Sequence, residues 1–560
     1  MKTVNPITTL RPSATTVEQY RKEDHWRPGT ILDDLARWRA ETPDAPALLV
    51  WEAGRGTLEL SYAQYAEYVD RFAGALHALG VRSGQVVAMQ LPNVWQVGPL
   101  VLACARLGAV AAPIMCAFRP RELERMLRRL DAVVCMTVDR WDNFEHAAAL
   151  AEMAPRLPAL RHRVVLGERT ADGDERTTGA DERTTDGELD FREYFEQTEH
   201  DTLPDPSVVD PDRVSLVLFT SGTSGEPKAV LHTLNTSYAW YAPVAAADGI
   251  GPDSRVYSPN AATHIVGLNM GIFMPLHRGA CAVVTDRWEP EAVIPFLAQA
   301  QVSWMVIVPV FLSVLIDAME RTSQRLPTVR IIRAGGTIVP QPLFRRVTET
   351  FGIPLDVGWG MTEGANVFTR AGEHPELAGR TVGRCAPGHE IDLRADHPIS
   401  DEQPGRLYVR SPSLCLATWG RDDGRLTVLT EHDDGWYDTG DLAAPDGHGG
   451  IRLHGRAEDR IGVIMIPVSD VESALLDHPD VRDVALVGYP DGHGGELACA
   501  VVVPGEGTPT LDGLRDWLDG LGMSEWCQPS RLELLPQLPR NETGKVRKNL
   551  LRERLRPALS

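Results

Sequence analysis

Between Ser61 and Pro113 the spacing of apolar positions changes period several times. "SYAQYAEYVDRFAGALHALG" places its apolar residues on one helical face, "QVVAMQL" is a short unbroken apolar run, and "AVAAPI" is a second such run after another helix-like stretch. That alternation is a β-α-β rhythm and predicts a layered α/β architecture. "AVVCMTV", "WMVIVPV" and "VRIIRAG" are further apolar runs followed by helix-like sequence, so the large part of the chain reads as α/β throughout. The most lipid-like stretch, Val97 to Phe118, is interrupted by Arg106, Gly108 and Pro113, which predicts a buried helix leading into a strand and no membrane span.

Further along, "PGRLYVRSPSLCLATWG" and the segment from Gly435 to Arg460 alternate over short distances and are rich in Gly and Asp, which predicts a β-rich subdomain closing the large domain. "DVESALLDHPD" then reads as a helix, and "VRDVALVGYP" and "ELACAVVVPG" as strands of a small α+β domain. The expected division is 1–457 and 458–560, with the boundary near Glu458 and Asp459. Residues 167–187, "GERTADGDERTTGADERTTDG", form an imperfect seven-residue tandem repeat with no apolar positions. They predict a solvated, disordered loop without chemistry.

Composition narrows the partners. A chain of 560 residues exceeds what one core can organise, and 43% hydrophobic with 24% charged residues is ordinary for a globular protein. A net charge of −21 argues against nucleic acid and anionic membranes, so an anionic ligand must be met by a local site. The N-terminus lacks an apolar signal region, and the eight cysteines are dispersed without a CxxC pair, which predicts reduced thiols in a cytoplasmic protein. Only five of the 56 basic residues are lysines: Lys2, Lys22, Lys228, Lys545 and Lys548. In an Arg-dominated chain an internal Lys suggests a place where a compact point charge is needed and a planar fork would not serve.

Lys228 closes "TSGTSGEPK", which follows the strand-like "VSLVLF" and precedes "AVLHT". A loop between two strands is not a Walker A loop, which must run into a helix. Thr220, Ser221, Thr223 and Ser224 supply donors, Gly222 and Gly225 permit close backbone approach, and Lys228 supplies charge. That set suits a polyphosphate; in isolation it also suits a surface turn.

Five more stretches accompany it in order: "AGGTIVP" from Ala334, "GWGMTEG" from Gly358, "GWYDTGD" from Gly435, "GRAEDRI" from Gly455 and "NETGKVRK" from Asn541. Together the six resemble the signatures of the adenylate-forming superfamily of acyl-CoA synthetases, nonribosomal adenylation domains and luciferases, nearest to its aryl- and cyclic acyl-CoA ligases. The resemblance covers nearly the whole chain. It implies a large adenylation domain with a small mobile lid domain, and AMP-forming activation of a small aryl or cyclic carboxylic acid with ATP and Mg²⁺, followed by thioester formation with CoA.

The resemblance also implies roles. Gly335, Gly336 and Thr337 would present backbone to the adenine, with Trp359 offering an aromatic face beside Gly360. Thr362 would bind the α-phosphate, and Glu363, with Thr223, the Mg²⁺. Asp441 would accept from the ribose hydroxyls with Arg456 nearby, and Lys545 would bridge the carboxylate and the α-phosphate. Lys548 is read as solvated. His264 would gate the acid pocket, lined by Gly267, Asn269, Met270, Val310, Gly335 and Met361, and the Asn269 amide hints at a polar substituent. Glu458 or Asp459 would be the hinge.

One stretch departs from the pattern. Thioester-forming members usually follow the hinge with a Gly-Gly loop, whereas here only Gly462 precedes Val463, Ile464 and Met465. That leaves other acceptors open: a carrier protein, or an aryl amine if the enzyme activates nitrite as a diazotase. A silent scaffold is disfavoured because Thr362, Glu363 and Lys545 are all retained.

Overall fold

The computed structural model describes residues 6–167, 188–201, 203, 209–220, 228–337, 339–370, 379–419, 426–429, 433–457, 461, 466, 468–490, 496–521, 523, 528–541 and 544–555. The tandem repeat beyond Gly167, the loop Ser221–Pro227, the expected hinge at Glu458 and Asp459, and Gly462–Met465 lie outside the described residues.

Two nine-stranded sheets dominate what is described. The first runs parallel through Cys281–Thr285, Arg255–Tyr257, Trp304–Ile307, Ile331–Gly335 and Leu355–Met361, then turns antiparallel into Gly364–Phe368. The second runs parallel through His162–Leu166, Val134–Val138, Val86–Gln90, Val110–Ile114 and Val214–Thr220. Several of these central strands are wholly buried, which is why they read as unbroken apolar runs and do not alternate. The stretch after Val97 is a buried helix, Val97–Leu107, leading into the strand Val110–Ile114. Among the described residues no helix is long and apolar enough to cross a membrane, and no disulfide joins the cysteines.

Val214–Thr220 pairs antiparallel with Lys228–Thr233, so the expected phosphate loop joins two strands, with Thr220 opposite Lys228 across the ladder. Lys228–Thr233 then feeds the helix Leu234–Ala247, whose start is fixed by a reciprocal cap between Thr233 and Thr236. The far end of that helix is pinned by a buried ion pair. Asp248, its C-terminal cap, takes two hydrogen bonds from Arg333 Nη2 at 2.7 and 2.9 Å and one from Trp304 Nε1 at 2.8 Å. Arg333 Nη1 also donates to the carbonyls of Val357 and Thr369, at 3.3 and 3.1 Å. The two charged side chains are only 4% and 2% exposed, and the guanidinium lies over the Phe368 ring.

A four-stranded antiparallel sheet, Glu390–Arg394, Gly405–Arg410, Tyr437–Pro445 and Ile451–Arg456, supplies the predicted β-rich segment. The chain leaving its strand Gly405–Arg410 passes so close to the turn after Glu363 that only glycine fits at 364. Its φ is +126°, and a Cβ there would lie 2.3 Å from the Ser413 carbonyl oxygen.

Towards the C-terminus, Val481–Pro490, Glu496–Pro504 and Arg531–Leu534 form a small sheet with helices Val468–Leu476, Leu511–Gly520 and Lys548–Leu555. Alternate residues of its strands feed two apolar clusters, one with Leu475 and Leu514 and the other with Leu551 and Leu555. Lys548 is not solvated as the sequence suggests. Its Nζ lies 2.8 Å from Glu472 Oε1, with the two side chains 15% and 13% exposed, since both helices pack against the strand Val481–Pro490. The loop before it rests on the large unit: a Cβ on Gly544 would come within 2.7 Å of Val310 Cγ1.

Replacing Asp248 with Ala leaves Arg333 buried without its carboxylate. The expected loss is about 3–5 kcal/mol of unfolding free energy, to be read from urea denaturation of the variant beside the parent.

Candidate active site

A cleft of about 2800 Å³ runs between the ends of the large sheets and the C-terminal unit. That exceeds the roughly 300–1,000 Å³ of a single small-molecule pocket, so there is room for more than one substrate. Its walls bring together Thr220, Lys228, His264, Val310, Gly335, Gly336 and Thr337 with Trp359, Gly360, Met361, Thr362, Glu363, Asp441, Arg456 and Lys545. Residues spread over more than 300 positions of sequence therefore share one wall. Of the remaining candidates, Ser221, Gly222, Thr223, Ser224, Gly225, Glu458 and Asp459 lie outside the described residues.

At one end the strand Lys228–Thr233 faces the hairpin turn that carries Thr362 and Glu363. Lys228 Nζ is ion-paired with Glu363 Oε1, and Tyr437 Oη touches both, 3.1 Å from the ammonium and 3.2 Å from the carboxylate. Burial would raise the Glu363 carboxyl, but the adjoining Lys228 charge and the hydrogen bonds from Lys228 and Tyr437 outweigh it and hold it below its ordinary value. The Tyr437 hydroxyl is pushed up by burial and by the Glu363 charge, so it stays a donor. On the same strand His232 Nε2 donates to the Thr362 carbonyl at 2.7 Å while Nδ1 faces Thr236 Oγ1 at 3.0 Å. Burial pushes this imidazole down to about 4, so near neutral pH it is an uncharged brace for the turn that carries Thr362 and Glu363.

At the other end Asp441 and Arg456 are register partners on facing strands. Arg456 Nε lies 2.8 Å from Asp441 Oδ1, and Trp359 Nε1 donates to Oδ2 at 2.9 Å. These use two of the carboxylate's roughly four acceptor positions and leave the others for a ligand's hydroxyls. Burial raises the Asp441 carboxyl; Arg456, Trp359 and then Lys545 pull against it. Lys545, though distant in sequence, thus stands close enough to act on the charge of Asp441. Trp359 is oriented through its indole N–H, a role separate from the aromatic face expected of it.

The acid-pocket candidates divide. His264 caps the helix Ile265–Leu268, with Nδ1 accepting from Val266 N at 3.3 Å. Burial lowers it to about 4, so the neutral ring carries its proton on Nε2. Ile265, Val266 and Met270 join it on the cleft wall with Val310 and Met361. Gly267 and Asn269 stand behind that wall, contrary to the sequence expectation. A Cβ on Gly267 would lie 2.1 Å from the Ala261 carbonyl oxygen, and Asn269 is fully buried with both amide atoms unpartnered among the described residues. The helix opens at Asn269 into the wider turn Asn269–Phe273, which breaks the periodicity that would have put the amide on the wall.

The residues present suit a metal-bound triphosphate. The Thr220 hydroxyl, where the phosphate loop leaves its strand, is buried without a partner among the described residues. Glu363 offers the hard oxygen that Mg²⁺ prefers. No group of three or more His, Cys, Asp or Glu side chains is gathered for a metal among the described residues.

A family profile described as AMP-binding enzyme matches residues 35–418, and one described as AMP-binding enzyme C-terminal domain matches residues 470–545. The chain belongs to the AMP-binding enzyme family. This AMP-binding enzyme is 31% identical to an indoleacetate–CoA ligase of Aromatoleum aromaticum, over 88% of this chain and 93% of that protein. It is 30% identical to a salicyl-AMP ligase/salicyl-S-ArCP synthetase of Mycobacterium tuberculosis, over 95% of this chain and 92% of that protein. An anthranilate CoA ligase in complex with anthranoyl-AMP shares the fold, with a TM-score of 0.79 over 94% of this chain and 97% of that one at 21% identity. The chain is accordingly an AMP-forming ligase of the adenylate-forming aryl-acid and acyl-CoA ligase group, with a large N-terminal unit and a small C-terminal one.

Sequence reasoning did not single out Tyr437 or His232 in this AMP-binding enzyme. Period two would have found both: Lys228 and His232 are four apart on one strand, and Tyr437, Thr439 and Asp441 fall at every second position of another.

The depressed value of His232 sets a pH dependence. The unfolded chain takes up the proton at about 6.5 and the folded protein only at about 4, so stability present above the first value is lost between the two as pH falls. The single group accounts for about 3 kcal/mol at most. Urea unfolding of a His232→Gln variant across this range should show a pH slope shallower than the parent's by up to about one proton.

Proposed function

We propose that this enzyme is an ATP- and Mg²⁺-dependent ligase that activates a small aryl or cyclic carboxylic acid as its acyl-adenylate and passes the acyl group to the thiol of CoA. What supports the reading most directly is the company of Lys545, which shares one cleft with Asp441 at one end and with Lys228 and Glu363 at the other.

In this reading Asp441 accepts from the ribose hydroxyls, held by Arg456 and Trp359, while Gly335, Gly336 and Thr337 border the adenine. Lys228, Thr220 and the loop Ser221–Gly225 hold the β- and γ-phosphates. Glu363, with Thr223, binds Mg²⁺, which when bound neutralises phosphate charge. The acid's carboxylate oxygen attacks the α-phosphorus as the bond to pyrophosphate breaks, with Thr362 and Lys545 stabilising the charge that builds there. His264, neutral with its proton on Nε2, closes the acid pocket against an otherwise apolar wall. The thiol then attacks the acyl carbon and AMP leaves, with the C-terminal unit turning about Glu458 or Asp459 between the two half-reactions.

A carrier-protein thiol is the second acceptor to consider, because one relative is a salicyl-S-ArCP synthetase and the post-hinge segment carries Val463, Ile464 and Met465 in place of small residues. The relatives named above give no support to nitrite activation.

Lys545→Ala should cut adenylation of the preferred aryl acid by about 10²–10³-fold while ATP binding is retained, measured by acid-dependent pyrophosphate exchange and by calorimetry. Equal exchange rates in variant and parent would refute the lysine's role. Mass spectrometry of products with CoA, and separately with a phosphopantetheinylated carrier protein, should show the CoA thioester as the faster product.

A further inference from the structure

Without nucleotide, the two groups that the proposed reaction needs most neutralise each other: Lys228, meant for phosphate, is ion-paired with Glu363, meant for the metal. Binding a metal nucleotide is then a charge exchange, in which the ammonium turns to phosphate and the carboxylate to the cation. A half-exposed carboxylate released from its lysine would be free to reorient. Glu363 is not so free, because the Tyr437 hydroxyl holds the same oxygen at 3.2 Å.

We propose that Tyr437 is a positioning residue that keeps the Glu363 carboxylate aimed at the metal while Lys228 leaves it. The inference rests on the metal role given to Glu363 above and adds a residue to it. Three observations carry it. Among the described residues, the Tyr437 side chain stands within hydrogen-bond reach of both partners. Its direction is set by chemistry: the carboxylate only accepts and the ammonium only donates, so the phenol O–H points to Glu363 and its lone pair to Lys228. A phenol is an O–H donor in its own right, so the bond to Glu363 does not depend on Lys228 staying beside it.

The backbone under each partner is braced independently. The main-chain carbonyl of Glu363 accepts from Cys415 N at 2.7 Å, and the Thr362 carbonyl accepts from His232. Only side chains need move in the exchange. A hydrogen bond that orients a metal-binding carboxylate typically governs metal affinity by 10- to 100-fold. A phenylalanine at 437 would fill the same space without the hydroxyl.

The test is the gain in ATP affinity that Mg²⁺ confers, measured by titration calorimetry with excess Mg²⁺ and again with EDTA, so that no turnover is read. Tyr437→Phe should lose about tenfold of that gain while metal-free ATP binds as tightly as in the parent or more tightly. In a Glu363→Gln background, adding Tyr437→Phe should change the gain by less than about twofold. An unaltered gain in Tyr437→Phe, an equal loss with and without Mg²⁺, or the same loss in the Glu363→Gln background would each overturn the proposal. Absence of any Mg²⁺-dependent gain in the parent would overturn the metal assignment itself, and that result is distinguishable because it needs no variant.

Discussion

The bidentate pair between Arg333 and Asp248 is the constraint from which the geometry of the cleft follows. It joins the end of the helix Leu234–Ala247 to the strand Ile331–Gly335 and, through the Val357 and Thr369 carbonyls, to the neighbouring hairpin. The start of that helix is Thr233, the last residue of the strand that carries Lys228 and His232. One buried ion pair thereby links the Lys228 side of the cleft to the strands that end at Gly335 and Met361. Such a pair adds little net stability over an apolar alternative, and its value here is directional.

Charge in the cleft is arranged in two opposed sets. Lys228 with Glu363, and Arg456 with Asp441, are each nearly neutral as pairs, so an acidic protein can present an anion site without a field of free positive charge. Long-range attraction of a nucleotide is weak in such a molecule, and recognition depends on contacts made after entry. The sparing use of lysine fits this arrangement. In the proposed exchange Lys228 leaves one partner for another, which a flexible stem with a compact charge does more easily than a guanidinium locked in a fork.

Much of this was legible in the chain. The apolar runs that alternate with helical stretches became the central strands because parallel strands covered on both faces cannot alternate. The ordered motifs line one cleft although they come from three sheets and a loop of the C-terminal unit. What escaped was whatever depended on the opposite side of a contact. Lys548 carries no mark in sequence of Glu472 on another helix, and Asn269 reads as a pocket residue until the helix is seen to widen beneath it. Tyr437 lay inside a recognised motif, but its role depends on Lys228, some two hundred residues earlier, meeting it across two sheets.

Gly364 deserves a kinetic reading. Its lack of a side chain lets the Ser413 segment press against the turn that bears Glu363, so that turn is fixed from two sides before any ligand arrives. Backbone rearrangements of loops take nanoseconds to microseconds or longer, whereas rotamer changes take picoseconds to nanoseconds. In the proposed reading, assembly of the Glu363 cation site would therefore fall in the faster class.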